Sequence, residues 1–91
     1  MQEKLFREFL EQLGTFTQKA ITTRVAKANA AERIIGCGLD MVVSDDDKMF
    51  DALVSLKPNE NPKHNPMQNA VRKYYIFKNG KEFPQLRYYE R

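Results

Sequence analysis

The 91-residue sequence contains one cysteine, one histidine and no tryptophan. A single cysteine cannot form a disulfide within the chain, and one cysteine with one histidine falls short of the four ligands of a usual zinc site. No apolar run approaches the roughly 18 residues that a transmembrane helix needs, and the start of the chain lacks the apolar segment of a signal peptide. We therefore expect a cytoplasmic protein that makes no membrane contact and requires no metal or other cofactor.

The sequence also lacks the glycine motifs that hold phosphates, Gly-x-x-x-x-Gly-Lys and Gly-x-Gly-x-x-Gly. Cys37 and His64 are the candidates for thiol chemistry, but neither lies in a nucleophile motif. We interpret them as a structural cysteine and a solvated loop histidine. Asp47 and Asp51, one helical turn apart, could share a cation, although complementing a helix dipole explains them better. We expect no enzymatic activity.

What the chain does contain is enough apolar material for one small core. Hydrophobic residues make up 42% of the sequence, and six Phe and four Tyr supply the aromatic side chains. That composition is too apolar for a disordered chain. The length leaves room for one domain, which we place at residues 1–91.

The formal net charge of +3 is distributed unevenly along the chain. Residues 1–43 carry a net charge of +1, residues 44–60 carry −3 and residues 61–91 carry +5. The last block also contains six of the ten aromatic residues, including all four Tyr. A basic, aromatic block of this kind is typical of a surface that faces nucleic acid.

Apolar residues at helical spacing predict three helices, over residues 2–13, 17–35 and 44–56. Gly14 follows the first helix, at the position where a glycine commonly ends a helix. Ser44 precedes three aspartates. We expect its hydroxyl to cap the third helix while the carboxylates face the positive end of the helix dipole.

Two segments between and after these helices are less regular. Residues 39–43 are short and apolar, which fits either a buried strand or an extended connector. Residues 57–66 contain three Pro and three Asn and predict a loop. Pro66 then begins a short helix, which we place at residues 66–72.

The segment after this short helix fits two structures. Tyr74 and Tyr75 continue the helical spacing, and Asn79-Gly80 could end a helix there. However, Tyr-Tyr-Ile-Phe is rich in strand-forming residues, and Asn-Gly is the preferred two-residue hairpin turn. We favour a β-hairpin over residues 74–83.

These elements predict an α+β fold: a mainly helical single domain with three to four helices and a C-terminal β-hairpin. Their order is similar to that of winged-helix proteins in outline only, because no residue motif supports the resemblance.

Cations alternate with tyrosines through the C-terminal third, and Lys63 and Arg91 belong to the same basic block. Lysine and arginine neutralise phosphates, whereas tyrosine rings stack on bases or anchor a protein partner. We predict phosphate contacts from Arg72, Lys73, Lys78, Lys81 and Arg87, and stacking or anchoring by Tyr74, Tyr88 and Tyr89.

The favoured function is therefore that of a small, non-catalytic DNA- or RNA-binding or regulatory protein. The alternative is a protein-binding module or inhibitor, of the phage or mobile-element accessory or anti-defence type, that acts on a larger nucleic-acid-processing complex. The amphipathic helix at residues 2–13 is also a candidate homodimer face. Salt discriminates the two functions, because binding through phosphates weakens steeply as salt rises.

Overall fold

Helices account for most of the chain, and their packing brings distant residues together. The computed structural model describes residues 1–90, of which 71% are helical. The helices are α1 (Glu3–Gln12), α2 (Gln18–Ile35), α3 (Leu39–Val43), α4 (Asp46–Leu56) and α5 (Pro66–Asn79). Short 3-10 turns lie at Lys57–Asn59 and Leu86–Tyr88. Helices α1, α2 and α4 lie within the ranges that the apolar spacing predicts.

The predicted β-hairpin over residues 74–83 is wrong, because helix α5 continues without a break to Asn79. Residues 1–90 contain five α-helices and no strand, so the fold is mainly helical and not α+β. The outline similarity to winged-helix proteins depended on the hairpin, and it is lost with it.

The hairpin prediction fails because its turn signal has two meanings. Gly80 has a φ of 72° and caps the C-terminal end of α5. A two-residue hairpin turn and a helix C-cap both require a glycine at positive φ, so Asn79-Gly80 fits either one. Core packing decides between them, since the helix buries both Tyr74 and Tyr75. A strand would point these two rings to opposite faces and expose one of them.

Helix α3 replaces the strand or extended connector predicted at residues 39–43. Its first turn is held by a side chain from the preceding helix, because the Glu32 carboxylate accepts a hydrogen bond from the Leu39 N–H at 2.9 Å. Leu39, Val42 and Val43 are then buried on one side of the short helix. Glu32 lies seven residues before Leu39. The apolar pattern of residues 39–43 therefore could not reveal this cap.

Helix α4 begins at a different cap from the one predicted. Asp45 Oδ1 accepts hydrogen bonds from the backbone N–H groups of Asp47 and Lys48, at 2.8 and 3.1 Å. The Ser44 hydroxyl instead donates to the carbonyl of Met41 at 2.6 Å. The acidic first turn still complements the helix dipole, as predicted.

Helix α5 is capped from the loop that precedes it. The Glu60 carboxylate accepts hydrogen bonds from the backbone N–H groups of Met67 and Gln68, the latter at 3.1 Å. Pro66 occupies the first turn, where its missing N–H costs no hydrogen bond. The loop therefore both connects α4 to α5 and satisfies the N-terminal donors of α5.

The core draws apolar side chains from every helix and from the C-terminal segment. Helix α1 contributes Phe6 and Leu10, which are fully buried against the rest of the chain. The remaining buried apolar residues are Ile21, Val25, Ala28, Ala31, Leu39, Val42, Val43, Met49, Ala52, Leu53, Leu56, Ala70, Val71, Tyr74, Tyr75 and Phe83. Phe6 and Leu10 of α1 are therefore core residues of this chain. No observation tests a homodimer face on α1, which stays a prediction.

Candidate functional site

Helices α2 and α5 present matching, mostly polar flanks to each other. On α2 the flank is Ala20, Thr23, Arg24 and Lys27, and on α5 it is Asn69, Arg72, Lys73 and Ile76. Each set follows the spacing i, i+3, i+4, i+7, which places its members on one side of a helix. The buried stripes of both helices lie beside these flanks, so core packing fixes the side chains at the edge of the core.

Two adjoining clefts, of about 500 and 600 Å³, separate the two flanks. Arg24 and Asn69 line both of them, so we treat them as one feature and call it the α2–α5 cleft. His64 and the start of α5 close one end, and the C-terminal segment closes the other. Its cationic lining residues are Lys19, Arg24, Lys27, Arg72 and Lys73.

Phe16 holds two of these cations in place. The Arg24 guanidinium lies 5.2 Å from the centre of the Phe16 ring, and the Lys73 ammonium lies 5.8 Å from it. The negative face of an aromatic ring attracts both charges. This shared ring partly offsets the repulsion between the two cations, which come from facing helices.

Arg72 joins the cleft to the C-terminal segment. Its Nη1 donates to the carbonyl oxygens of Phe83 and Pro84, at 2.8 and 3.2 Å, and its guanidinium lies 5.9 Å from the Phe83 ring. The segment that follows α5 is thereby held against the helix as one wall of the cleft. Arg72 thus has a structural role as well as a cationic one.

The cations of the cleft have little negative charge near them. Within residues 1–90, no carboxylate lies within 4.0 Å of the cationic nitrogens of the five lining residues. Glu82 is the one acidic residue among the described lining residues. Burial lowers the pKa of both Arg24 and Arg72, and at Arg72 the charge of Glu82 partly opposes this effect. Both side chains remain charged at neutral pH. The cleft therefore concentrates positive charge in a partly desolvated space.

The opposite flank of α5 is neutralised by carboxylates. The Tyr74 hydroxyl donates to Asp40 Oδ1 and accepts from the Gln2 N–H at 2.8 Å. The Lys78 ammonium lies 3.5 Å from Asp40 and donates to the Gln2 side chain at 2.6 Å. The Tyr75 hydroxyl donates to Asp46 at 2.8 Å. Burial and this hydrogen bond raise the pKa of Tyr75 to about 12.

The predicted site residues therefore do not form one site. Arg72 and Lys73 line the cleft, whereas Tyr74 is fully buried and cannot stack on a ligand in this fold. Lys78 is paired with Asp40. Lys81 is exposed just beyond the end of α5, and no hairpin tip brings it together with Lys78. Arg91 lies outside the described residues.

The two C-terminal tyrosines have different surroundings. Tyr89 is half-buried, stacks on Phe50 with ring centres 5.3 Å apart, and donates a hydrogen bond to Asp47 at 2.7 Å. Tyr88 is 67% exposed, and the Arg87 guanidinium lies 4.9 Å from its ring centre. Tyr89 therefore anchors the segment to the core, while Tyr88 and Arg87 present a surface to solvent.

Cys37 and His64 do not form a pair. Cys37 lines a separate cleft of about 370 Å³ beside α3 and α4, and His64 lines the α2–α5 cleft. Among the described residues, no three His, Cys, Asp or Glu side chains are grouped as metal ligands.

The prediction from charge blocks missed the contribution of α2. Lys19, Arg24 and Lys27 lie in a block whose net charge is only +1, because acidic residues elsewhere in the block offset them. A signal was present nevertheless: α2 has no acidic residue before Glu32. Counting charge helix by helix would have identified this basic half-helix.

No family model, curated protein or solved structure matches this chain. Across residues 1–90, no helix is both long enough and apolar enough to traverse a bilayer.

Proposed function

We propose that this chain is a small, non-catalytic nucleic-acid-binding protein whose α2–α5 cleft holds the phosphate backbone. The observation that carries the proposal is the absence, within residues 1–90, of carboxylate partners around five cations that face one cleft. Cations without a close ion-pair partner at a concave surface attract an anion. A phosphate backbone supplies regularly spaced anions, and neutralising them releases counterions from the nucleic acid.

The chemistry of the lining residues fits phosphate, and their number favours a row of phosphates over a ligand of a single charge. Arg24 and Arg72 offer planar guanidinium donors that match two phosphate oxygens at once. Thr23 and Asn69 add neutral donors between them, as is common along a nucleic-acid backbone. Five cations spread over two adjoining clefts suit several phosphates in a row.

Affinity measurements on matched variants test this proposal. Arg24→Gln removes a cleft cation from α2, and Arg33→Gln removes an exposed arginine from the last turn of the same helix. At about 50 mM salt, loss of one phosphate contact weakens binding about tenfold. We expect that loss for Arg24→Gln and almost none for Arg33→Gln, measured by fluorescence anisotropy with labelled DNA and RNA oligonucleotides.

A second matched pair lies on α5. Lys73→Gln removes a cation that faces the cleft, whereas Lys78→Gln removes one that Asp40 already neutralises. We expect Lys73→Gln to weaken binding about tenfold at low salt and Lys78→Gln to have a much smaller effect. Absence of binding to every single strand and duplex at low salt would contradict the proposal and favour the protein-binding alternative.

A further inference from the structure

A continuous set of contacts leads from the α2–α5 cleft to the exposed ring of Tyr88. Gln85 lines the cleft, and its side-chain oxygen accepts a hydrogen bond from Arg87 Nε at 3.1 Å. The Arg87 guanidinium in turn lies over the Tyr88 ring. A chain of phosphates that leaves the cleft past Gln85 would therefore meet a cation and then an open aromatic ring.

The C-terminal segment holds this ring on a firm support. Arg72 binds the backbone on the N-terminal side, through the carbonyl oxygens of Phe83 and Pro84. On the C-terminal side, Tyr89 packs against both Phe50 and Phe83. Because both sides of the 3-10 turn are fixed, little backbone freedom is left to lose when a ligand stacks on the ring.

An exposed ring next to a line of cations distinguishes a single strand from a duplex. In a duplex both faces of each base are covered by its neighbours, so a surface tyrosine has no base face to contact. A single strand can turn a base outward to stack on an aromatic or guanidinium plane. The cleft also lies between two helices, whereas a major groove is usually entered by a protruding helix or ribbon.

We propose that the ligand is single-stranded nucleic acid, with its phosphates in the α2–α5 cleft and a base stacked on Tyr88 beside Arg87. This inference rests on the proposed function, because it assumes that the cleft binds phosphates. Tyr88 then distinguishes single-stranded from duplex nucleic acid, whereas the cleft cations contribute affinity for both. Stacking on an aromatic ring does not depend on base identity, so we expect little sequence preference.

The test compares single strands with a duplex. The probes are labelled oligo(dT) and oligo(U) of about 12 nucleotides, within the range of small single-strand-binding folds, and a DNA duplex of the same length. Tyr88→Ala should weaken binding of the single strands about 5- to 150-fold, the effect of losing one stacked base. Tyr88→Phe keeps the ring and should bind like the wild type.

Three outcomes are informative. Tighter binding of either single strand than of the duplex, lost in Tyr88→Ala and retained in Tyr88→Phe, supports the inference, and comparing oligo(dT) with oligo(U) shows which sugar is preferred. Equal binding of duplex and single strands, unaffected by Tyr88→Ala but weakened by Lys73→Gln, overturns it and leaves the proposed function standing. Absence of binding to all three probes at low salt overturns both. Tyr88 contributes no described core contact, so its variants should fold, which circular dichroism checks.

Discussion

Both flanks of helix α5 carry cations, but within residues 1–90 only one flank has a carboxylate at ion-pair distance. On one flank, Lys78 and the Tyr74 hydroxyl meet Asp40. On the other, Arg72 and Lys73 face Arg24 across the cleft without a carboxylate within 4.0 Å, as far as residues 1–90 show. The net charge of the C-terminal block does not reveal this difference between the two flanks of α5. The position of Asp40 on α3 decides that Lys78 is paired within the fold, whereas Arg72 and Lys73 remain available to a ligand.

The largest expected effect concerns the neutralised flank. Tyr74→Ala removes a fully buried ring together with its hydrogen bonds to Asp40 and Gln2. We expect the free energy of unfolding to fall by about 3–5 kcal/mol, as for other large-to-small core substitutions. Urea denaturation followed by circular dichroism measures the change.

The neighbouring residue provides the control for that change. Lys73→Ala leaves the core untouched and removes one contact with the Phe16 ring, so we expect a loss below about 1 kcal/mol. Equal destabilisation by the two variants would mean that the flanks of α5 do not differ as described.

A smaller loss of stability is expected at the anchor of the C-terminal segment. Tyr89→Phe keeps the stacked ring but removes the hydrogen bond to Asp47. We expect the free energy of unfolding to fall by about 0.5–1.5 kcal/mol. The exposed neighbour is the comparison: Tyr88→Phe should leave thermal stability unchanged, and a similar loss there would remove the distinction between the two tyrosines.

Binding should improve when the acidic residue of the cleft is neutralised. Glu82→Gln removes the carboxylate that lines the cleft, and one charge at about 4 Å in water is worth about 1 kcal/mol. We therefore expect up to about fivefold tighter binding of oligonucleotides at low salt. Glu11→Gln, an exposed position on α1 that does not line the cleft, is the control. Weaker binding by Glu82→Gln would contradict a repulsive role.

The smallest expected effect is the loss of the stabilisation by Asp40 at low pH. Burial by itself would raise the pKa of Asp40, but the hydrogen bond from Tyr74 and the charges of the terminal amino group and Lys78 bring it below its ordinary value of 3.8. A carboxyl whose pKa is lowered by folding stabilises the fold above its ordinary pKa, and this contribution is lost as the pH falls through the lowered value.

Asp40→Asn should therefore flatten the acid side of the stability curve. Since Asp40 is partly exposed, we expect its contribution to be below about 1 kcal/mol after solvent screening. Thermal unfolding from neutral pH down to about pH 3 measures it. Identical acid profiles for the wild type and Asp40→Asn would show that the carboxylate does not stabilise this flank.

Local sequence patterns predicted the helices whose apolar spacing fits only a helix. Helices α1, α2 and α4 each show an apolar stripe with an identifiable start or end. Asn79-Gly80 did not settle the structure around it, because the helix is favoured by tertiary packing: it buries both tyrosine rings and brings their hydroxyls to Asp40 and Asp46. Those carboxylates are 34 and 29 residues away in sequence.

The candidate site was likewise predicted in part. The basic C-terminal block includes Arg72 and Lys73, which line the cleft, but it also includes Lys78, which Asp40 neutralises. Half of the cleft comes from α2, which lies far away in sequence. Pairing between distant charges depends on tertiary packing, so charge counts along the chain could not separate available cations from neutralised ones.

The most direct test of the account is the salt dependence of binding, measured on the wild type, Lys73→Gln and Lys78→Gln. For a single strand held by five cations, the slope of log K against log salt concentration should be about −3.5. Lys73→Gln should reduce its magnitude by about 0.7, while Lys78→Gln leaves it unchanged. A slope near zero, or an equal change in the two variants, would contradict the claim that the unneutralised cations of the α2–α5 cleft bind phosphate.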